Sequence, residues 1–168
     1  KKLSINLMKT NEPYMPELDD LYNLYQHVKI NKRTTILEFG SGWSTLIFNL
    51  ALNELSNKFS DQIKKLRRNN PFQLFVIENE KKYLNITKNR ISKFNKLLKI
   101  KKPINVKYFL SDVEMTSFKN KICTQYKRLP LCNPDFIYLD GPDQFSVKKN
   151  INGISTRHKD MMPMNCDI

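Results

Sequence analysis

The sequence predicts an α/β fold in which helices cover both faces of a mainly parallel sheet. Three observations lead to this prediction: four short apolar segments have the composition of buried strands, helical patterns lie between them, and polar residues follow where each strand ends. Strands that alternate with helices form right-handed crossovers, which place consecutive strands parallel in one sheet. We therefore expect the four strands to end at one edge of that sheet.

Length and composition indicate one folded domain, spanning 1–168. The 168 residues are 40% hydrophobic and 11% aromatic, too apolar for a disordered chain. No apolar run approaches the roughly 18 residues that a membrane span needs, and the first residues lack the apolar stretch of a signal peptide. We expect a soluble, cytoplasmic protein without a membrane partner. Three cysteines without a C-x-x-C pair indicate neither a disulfide framework nor a zinc site.

The excess of basic residues raises the question of nucleic acid. Lys and Arg number 29 against 16 acids, a net charge of +13, but only six of the 29 are Arg, the residue that grips phosphates and bases bidentately. The densest basic run, 64–68, falls at a predicted helix end, where cations complement the helix dipole. We expect nucleic acid not to be a partner, and a basic RNA-binding domain remains an alternative.

The first half of the chain contains two predicted helices and two predicted strands. An amphipathic helix over 16–29 precedes a strand over 34–39. A glycine turn then leads into a long helical pattern that extends to 66, and the apolar run 73–77 is suited to a strand buried on both faces.

The second half continues this alternation. A helix is predicted over 81–98 and a third strand over 104–110, whereas 113–133 has a less clear pattern, which we interpret as a short helix and a loop. A fourth strand is predicted over 134–139, so that the core of the domain covers 34–145.

Carboxylates mark the ends of all four predicted strands. Glu38, Glu78, Asp112 and Asp140 each lie at or just inside the C-terminal end of one strand. Ligands of open parallel sheets bind beyond these ends, where loops and helix N-termini converge. We therefore expect the four acids to surround one binding site.

The turn after the first strand favours a cationic ligand. Two of the four glycines in the chain, Gly40 and Gly42, lie in this turn, where a Cβ would keep the backbone from a ligand. Glu38 precedes them by two residues. A dinucleotide pyrophosphate at the following helix N-terminus would be repelled by this carboxylate, whereas a cation would not.

Here the sequence resembles the class I S-adenosylmethionine-dependent methyltransferases, whose first motif is an acid-x-Gly-x-Gly-x-Gly turn. The matching run is Glu38-Phe39-Gly40-Ser41-Gly42-Trp43-Ser44, with Ser44 in place of the third glycine, as in a subset of the family where Gly-Ser-Gly precedes Ser-Thr. Ser44 or Thr45 is then expected to cap the following helix. The resemblance covers about 34–145 and continues through these runs: Phe75-Val76-Ile77-Glu78-Asn79, Phe109-Leu110-Ser111-Asp112 and Asp135-Phe136-Ile137-Tyr138-Leu139-Asp140-Gly141-Pro142.

The resemblance implies a Rossmann-like fold and a binding site for S-adenosylmethionine. It implies that Gly40 and Gly42 lie beneath the methionine part and that Glu38 organises its amino group. It further implies that Glu78 accepts from the ribose hydroxyls, that Asp112 lies near the adenine amine, and that Asp140 lines the cleft towards the methyl acceptor. The expected cofactor-binding set is Glu38, Gly40, Ser41, Gly42, Ser44, Thr45, Glu78, Asn79, Asp112 and Asp140. The 40 residues from Glu38 to Glu78 exceed the usual spacing of about 20, which we attribute to a lengthened first helix.

The expected activity is methyl transfer to a small molecule, with O-methylation favoured. Such a reaction needs alignment, exclusion of water and, where necessary, removal of a proton, for which Asp140, Asp143 and His158 are the candidate bases. Asp140 also fits the first ligand of metal-dependent O-methyltransferases, but the later Asp-Asn pair is missing, so no metal site is predicted.

The family closes its sheet with three further strands, yet only 28 residues follow Asp140, so we expect the C-terminal strands to be missing from a truncated chain. The fourth strand would then be an exposed edge, through which we expect a homo-oligomer.

Two alternatives remain: a non-catalytic interaction module with the same fold, and an RNA-methylating domain. Leu139-Asp140-Gly141-Pro142 stands where base N-methyltransferases carry an Asn-Pro-Pro-Tyr type motif, which counts against the latter.

Overall fold

A computed structural model describes residues 15–65, 71–156 and 164–168 of the chain. Its elements are α1 (Leu18–Ile30), β1 (Thr35–Phe39), α2 (Trp43–Ile63), β2 (Gln73–Glu78), α3 (Lys81–Leu97), β3 (Asn105–Leu110), β4 (Val113–Phe118), β5 (Lys121–Tyr126), β6 (Phe136–Leu139), a 3-10 turn (Gln144–Ser146) and β7 (Met164–Asn165). The predicted strands and helices lie within three residues of these bounds, apart from the region between β3 and β6.

The central sheet confirms the predicted α/β fold with mainly parallel strands. Its four strands are parallel and lie in the order β3-β2-β1-β6. Phe39, near the end of β1, is level with Ile77 of β2 on one side and Leu139 of β6 on the other. The carboxyl ends of these three strands therefore form one continuous line.

All three helices cover the same face of this sheet. Ile36, Leu74 and Val76 alternate along β1 and β2 and form one core with Val28 of α1 and Phe48 of α2. The order β1-α2-β2-α3-β3 moves outwards through neighbouring strands, and right-handed crossovers then place successive helices on one side. The prediction of helices on both faces was therefore wrong for the described part of the chain.

An antiparallel hairpin covers the second face. Leu37, Phe75 and Ile77, which point away from the helices, pack against Val113 and Met115 of β4. The segment interpreted as a short helix and a loop is thus β4 and β5, because its apolar residues alternate and its two-residue turn, 119–120, adopts left-handed backbone angles. Strand β7 continues this smaller sheet by pairing in parallel with β5.

Strand β6 lies at the edge of the central sheet in the described residues. It pairs with β1 alone, and Ile137 and Leu139 on its hairpin-facing side are partly exposed. The homo-oligomer through this edge stays a prediction. None of the helices in the described ranges has the length and apolar character that would let it cross a membrane.

Truncation of an inward-facing hairpin residue is expected to destabilise the whole fold. Met115 is 2% exposed and packs on the sheet, so Met115→Ala is expected to lower the free energy of unfolding by about 2 to 4 kcal/mol. Urea titration followed by circular dichroism measures this change. Phe118→Ala, on the same strand but 57% exposed, is the control and should change stability by less than about 0.5 kcal/mol. Equal losses in both variants would contradict the packing of the hairpin on the sheet.

Candidate functional site

A cavity of about 410 Å³ opens at the carboxyl ends of β2, β1 and β6. Its walls come from the turn 40–44 between β1 and α2, from Glu78 at the end of β2, from segment 138–143 at the end of β6, and from 15–24 at the start of α1. The cavity therefore lies where the sequence predicts a binding site.

The turn after β1 approaches the turn after β6 at van der Waals distance. Gly40 has φ +97°, and its backbone N–H donates to the Ile77 carbonyl at 2.8 Å. A Cβ at Gly40 would lie 2.9 Å from the Asp140 carbonyl oxygen, and one at Gly141 would lie 2.9 Å from Gly40 Cα. The glycine at position 40 is thus required by the fold itself; it also lines the cavity, and the expectation that its backbone approaches a ligand stays a prediction.

Gly42 is the position where the wall leaves room. This residue lines the cavity, and a Cβ built on it would meet no atom within 4 Å. Gly42 is also the residue that precedes α2, and its backbone N–H donates to Thr45 Oγ1 at 2.9 Å. The expectation that Ser44 or Thr45 occupies the N-cap position was therefore wrong: Thr45 reaches back from the first turn, and Ser44 Oγ donates to Glu38 instead.

Glu78 is held rigidly at the rim of the cavity. Its Oε1 accepts from the backbone N–H groups of Asn79 (2.7 Å) and Glu80 (2.9 Å), and its Oε2 accepts from Ser41 Oγ (2.7 Å). Burial raises the pKa of this carboxyl, against the effect of these hydrogen bonds. The 21 residues of α2 account for the long spacing between Glu38 and Glu78, and the parallel register brings both acids to the same sheet edge.

Glu38 is completely buried behind Ser44. Its Oε1 accepts the Ser44 hydroxyl, whereas its Oε2 has no hydrogen-bond partner in the described part of the molecule. Burial, together with the nearby carboxylates of Asp140 and Glu78, raises the pKa of Glu38 to about 8. The carboxyl groups of Glu78 and Asp140, from the two strands beside β1, thus lie close enough to Glu38 to disfavour its ionised form.

Two of the other predicted residues line the cavity, and two further described ones do not. Asp140 and Asp143 belong to the wall, and burial raises the pKa of Asp140. Asp112 instead pairs with Lys148 at 2.8 Å on the surface and is absent from the lining, while Asn79 contributes its backbone to Glu78. His158 lies outside the described residues, so its role as a base stays a prediction.

Several residues of the wall were not predicted from the sequence. Tyr138 points to the helix-covered face of β6 two residues before Asp140, a position that strand alternation could have revealed. Burial raises the pKa of its phenol to about 12, with further contributions from the carboxylates of Asp140, Glu38 and Asp20. Asp20 comes from α1, and no sequence signal places this N-terminal helix over the end of β6.

No group of three or more His, Cys, Asp or Glu side chains in the described ranges has the arrangement of a metal site. Comparison of the chain with family models, with curated proteins and with solved structures found no match.

Substitution of Gly40 is expected to disrupt the contact between the two turns. Gly40→Ala combines a left-handed backbone with a collision against Asp140, so we expect a loss of more than about 2 kcal/mol in unfolding free energy. Gly153→Ala is the matched control, because Gly153 also has a positive φ (80°) but a Cβ there would meet no atom within 4 Å. The unfolding free energy that Gly153→Ala loses should be about 1 kcal/mol in the same urea titration. Equal losses would show that the collision adds nothing.

The buried carboxyl of Glu38 is expected to make stability depend on pH. Its pKa of about 8 in the folded protein exceeds the ordinary value of 4.5, so the folded state binds more protons between these values and stability falls as pH rises from about 4.5 to about 8. Glu38→Gln is expected to remove this part of the slope. Thermal unfolding between pH 5 and 9 measures it, with Glu17→Gln, exposed at the start of α1, as the control. Parallel pH profiles for Glu38→Gln and the wild-type protein would contradict the shift.

Proposed function

We propose that this protein is an S-adenosylmethionine-dependent methyltransferase that acts on a small molecule. The observation that carries this proposal is the cavity at the ends of β2, β1 and β6, in which the turn 40–44 lies beside Glu78. A nucleoside ligand fits such a place, since open parallel sheets bind ligands at the carboxyl ends of neighbouring strands.

The wall offers complementary groups for the ribose and for the positively charged part of the cofactor. Glu78 has the acceptor capacity for one ribose hydroxyl, because a carboxylate has about four lone-pair positions and three are in use. The open space at Gly42 admits a ligand close to the backbone. Asp140 on the wall adds negative potential, which stabilises a positively charged sulfonium and ammonium and disfavours a pyrophosphate, and a bound cation would in turn favour the ionised form of Glu38 behind the wall. A dinucleotide is therefore the poorer fit.

The chain would contribute alignment and a proton acceptor to the reaction. Bound S-adenosylmethionine would supply an electrophilic methyl group on a positively charged sulfur. The start of α1 and segment 138–143 enclose the space beside the turn 40–44, so they would orient the acceptor and limit its contact with water. Asp140, with its raised pKa, lies on this wall and is suited to take a proton from the acceptor.

Cofactor binding is the direct test of this function. Titration calorimetry is expected to show binding of S-adenosylmethionine and of its demethylated product S-adenosylhomocysteine, and no binding of NAD. Glu78→Gln should weaken both affinities about 10- to 100-fold, which corresponds to about 1 to 3 kcal/mol for hydrogen bonds to a charged group. Asp61→Asn, on an exposed carboxylate at the far end of α2, is the control and should leave both affinities unchanged.

The outcomes of the titration separate the possibilities. NAD binding without S-adenosylmethionine binding would overturn the proposed function, and full affinity in Glu78→Gln would remove Glu78 from the site. Asp112→Asn tests the adenine contact implied by the resemblance: we expect unchanged affinity, because Asp112 pairs with Lys148 outside the cavity.

A further inference from the structure

The cavity extends well beyond the turn 40–44, towards β6 at one edge of the sheet. Glu17 and Asp20 at the start of α1 line this second half together with Asp140 and Asp143 after β6. Since β6 lies on the opposite side of β1 from Glu78, this half is separate from the place assigned to the ribose. It is the part of the cavity open to a second ligand.

The charge of the cavity is opposite to that of the protein. The chain carries a net charge of +13, yet five carboxylates and no Lys, Arg or His occur among the described residues of the lining. Those five are Glu17, Asp20, Glu78, Asp140 and Asp143. A concave site lined by charges of one sign attracts ligands of the other sign.

A further observation independent of these acids points to a cation. Tyr138 and Tyr83 line the cavity, and aromatic rings bind ammonium groups through their π faces. The fully buried Oε2 of Glu38 has no hydrogen-bond partner in the described residues, but Glu38 lies behind Ser44 and does not line the cavity. Arg90 contacts the Trp43 ring (3.7 Å from Cζ to the ring centre) but does not line the cavity.

We propose that the methyl acceptor is a small amine that enters as an ammonium ion between the start of α1 and the end of β6, with Tyr138 and Asp140 beside its nitrogen. This inference rests on the proposed function and names its substrate class. It differs from the expected O-methylation: a carboxylate acceptor would meet like charge on every side of this half of the cavity, and a neutral hydroxyl acceptor would gain nothing from these charges.

The chemistry of an amine acceptor requires a proton acceptor at this position. The ammonium first transfers one proton to the Asp140 carboxylate, which frees the nitrogen lone pair. That lone pair forms the new C–N bond, the C–S bond breaks, and its electron pair remains on the sulfur, which becomes a neutral thioether. The methylated amine keeps the positive charge, and Asp140 returns its proton to water.

Probes of matched shape and opposite charge test the proposal by binding. Titration calorimetry on the full chain saturated with S-adenosylhomocysteine compares phenethylamine, tyramine and spermidine with 3-phenylpropanoate, 3-(4-hydroxyphenyl)propanoate and succinate. At least one amine is expected to bind 10-fold or more tightly than every carboxylate. Asp143→Asn and Asp20→Asn should each weaken amine binding about 3- to 10-fold, while Asp61→Asn, far from the cavity, should leave it unchanged.

Each result has a defined meaning. Carboxylate binding as tight as amine binding, failure of all three amines to bind, or unchanged amine affinity in both Asp143→Asn and Asp20→Asn would overturn the amine acceptor. Lack of S-adenosylhomocysteine binding would instead overturn the proposed function. In that case the same amine titration of the free protein still measures whether the cavity selects cations, so the two failures are distinguishable.

Discussion

The parallel register of β2, β1 and β6 is the constraint on which the site depends. Because the three strands end level with one another, residues 40 positions apart in the chain, Glu38 and Glu78, meet at one sheet edge together with Asp140. The two turns that leave β1 and β6 then approach so closely that positions 40 and 141 tolerate only glycine. A register shift of one residue in either strand pairing would turn the buried carboxylates to the opposite face of the sheet, and the cavity would be lost.

Local patterns predicted most of the fold, and the failures have physical reasons. Apolar runs and helical spacing identified the central sheet and the helices, since each of those segments has one strong period. The hairpin β4–β5 was missed because its turn, Lys119-Asn120, lacks the glycine that marks most two-residue hairpin turns. Its alternation of Val113 and Met115 with polar residues was a readable signal.

The site was predicted less completely than the fold because the sequence gives strand ends but not their lateral order. Asp112 and Glu78 look alike as acids that follow apolar strands. However, β3 is the edge strand opposite to β6, and Asp112 after it pairs with Lys148 on the surface. The contribution of α1 is a tertiary effect of the same kind: Asp20 reaches the cavity because α1 packs across α2 and β6, where the His27 and Phe136 rings lie 5.4 Å apart.

The length of α2 has a mechanical effect at the other end of the molecule. A 21-residue helix measures about 31 Å, whereas a five-residue strand such as β1 measures about 16 Å. The helix consequently extends past the amino-terminal edge of the sheet. Phe59 and Ile63 in its last turns line a groove of about 300 Å³ there. Phe72, just ahead of β2, lines the same groove, is buried in one core cluster with Ile63 and has a φ of 54°, which is unfavourable for a non-glycine residue; the packing at the end of the longest helix therefore includes a strained backbone position.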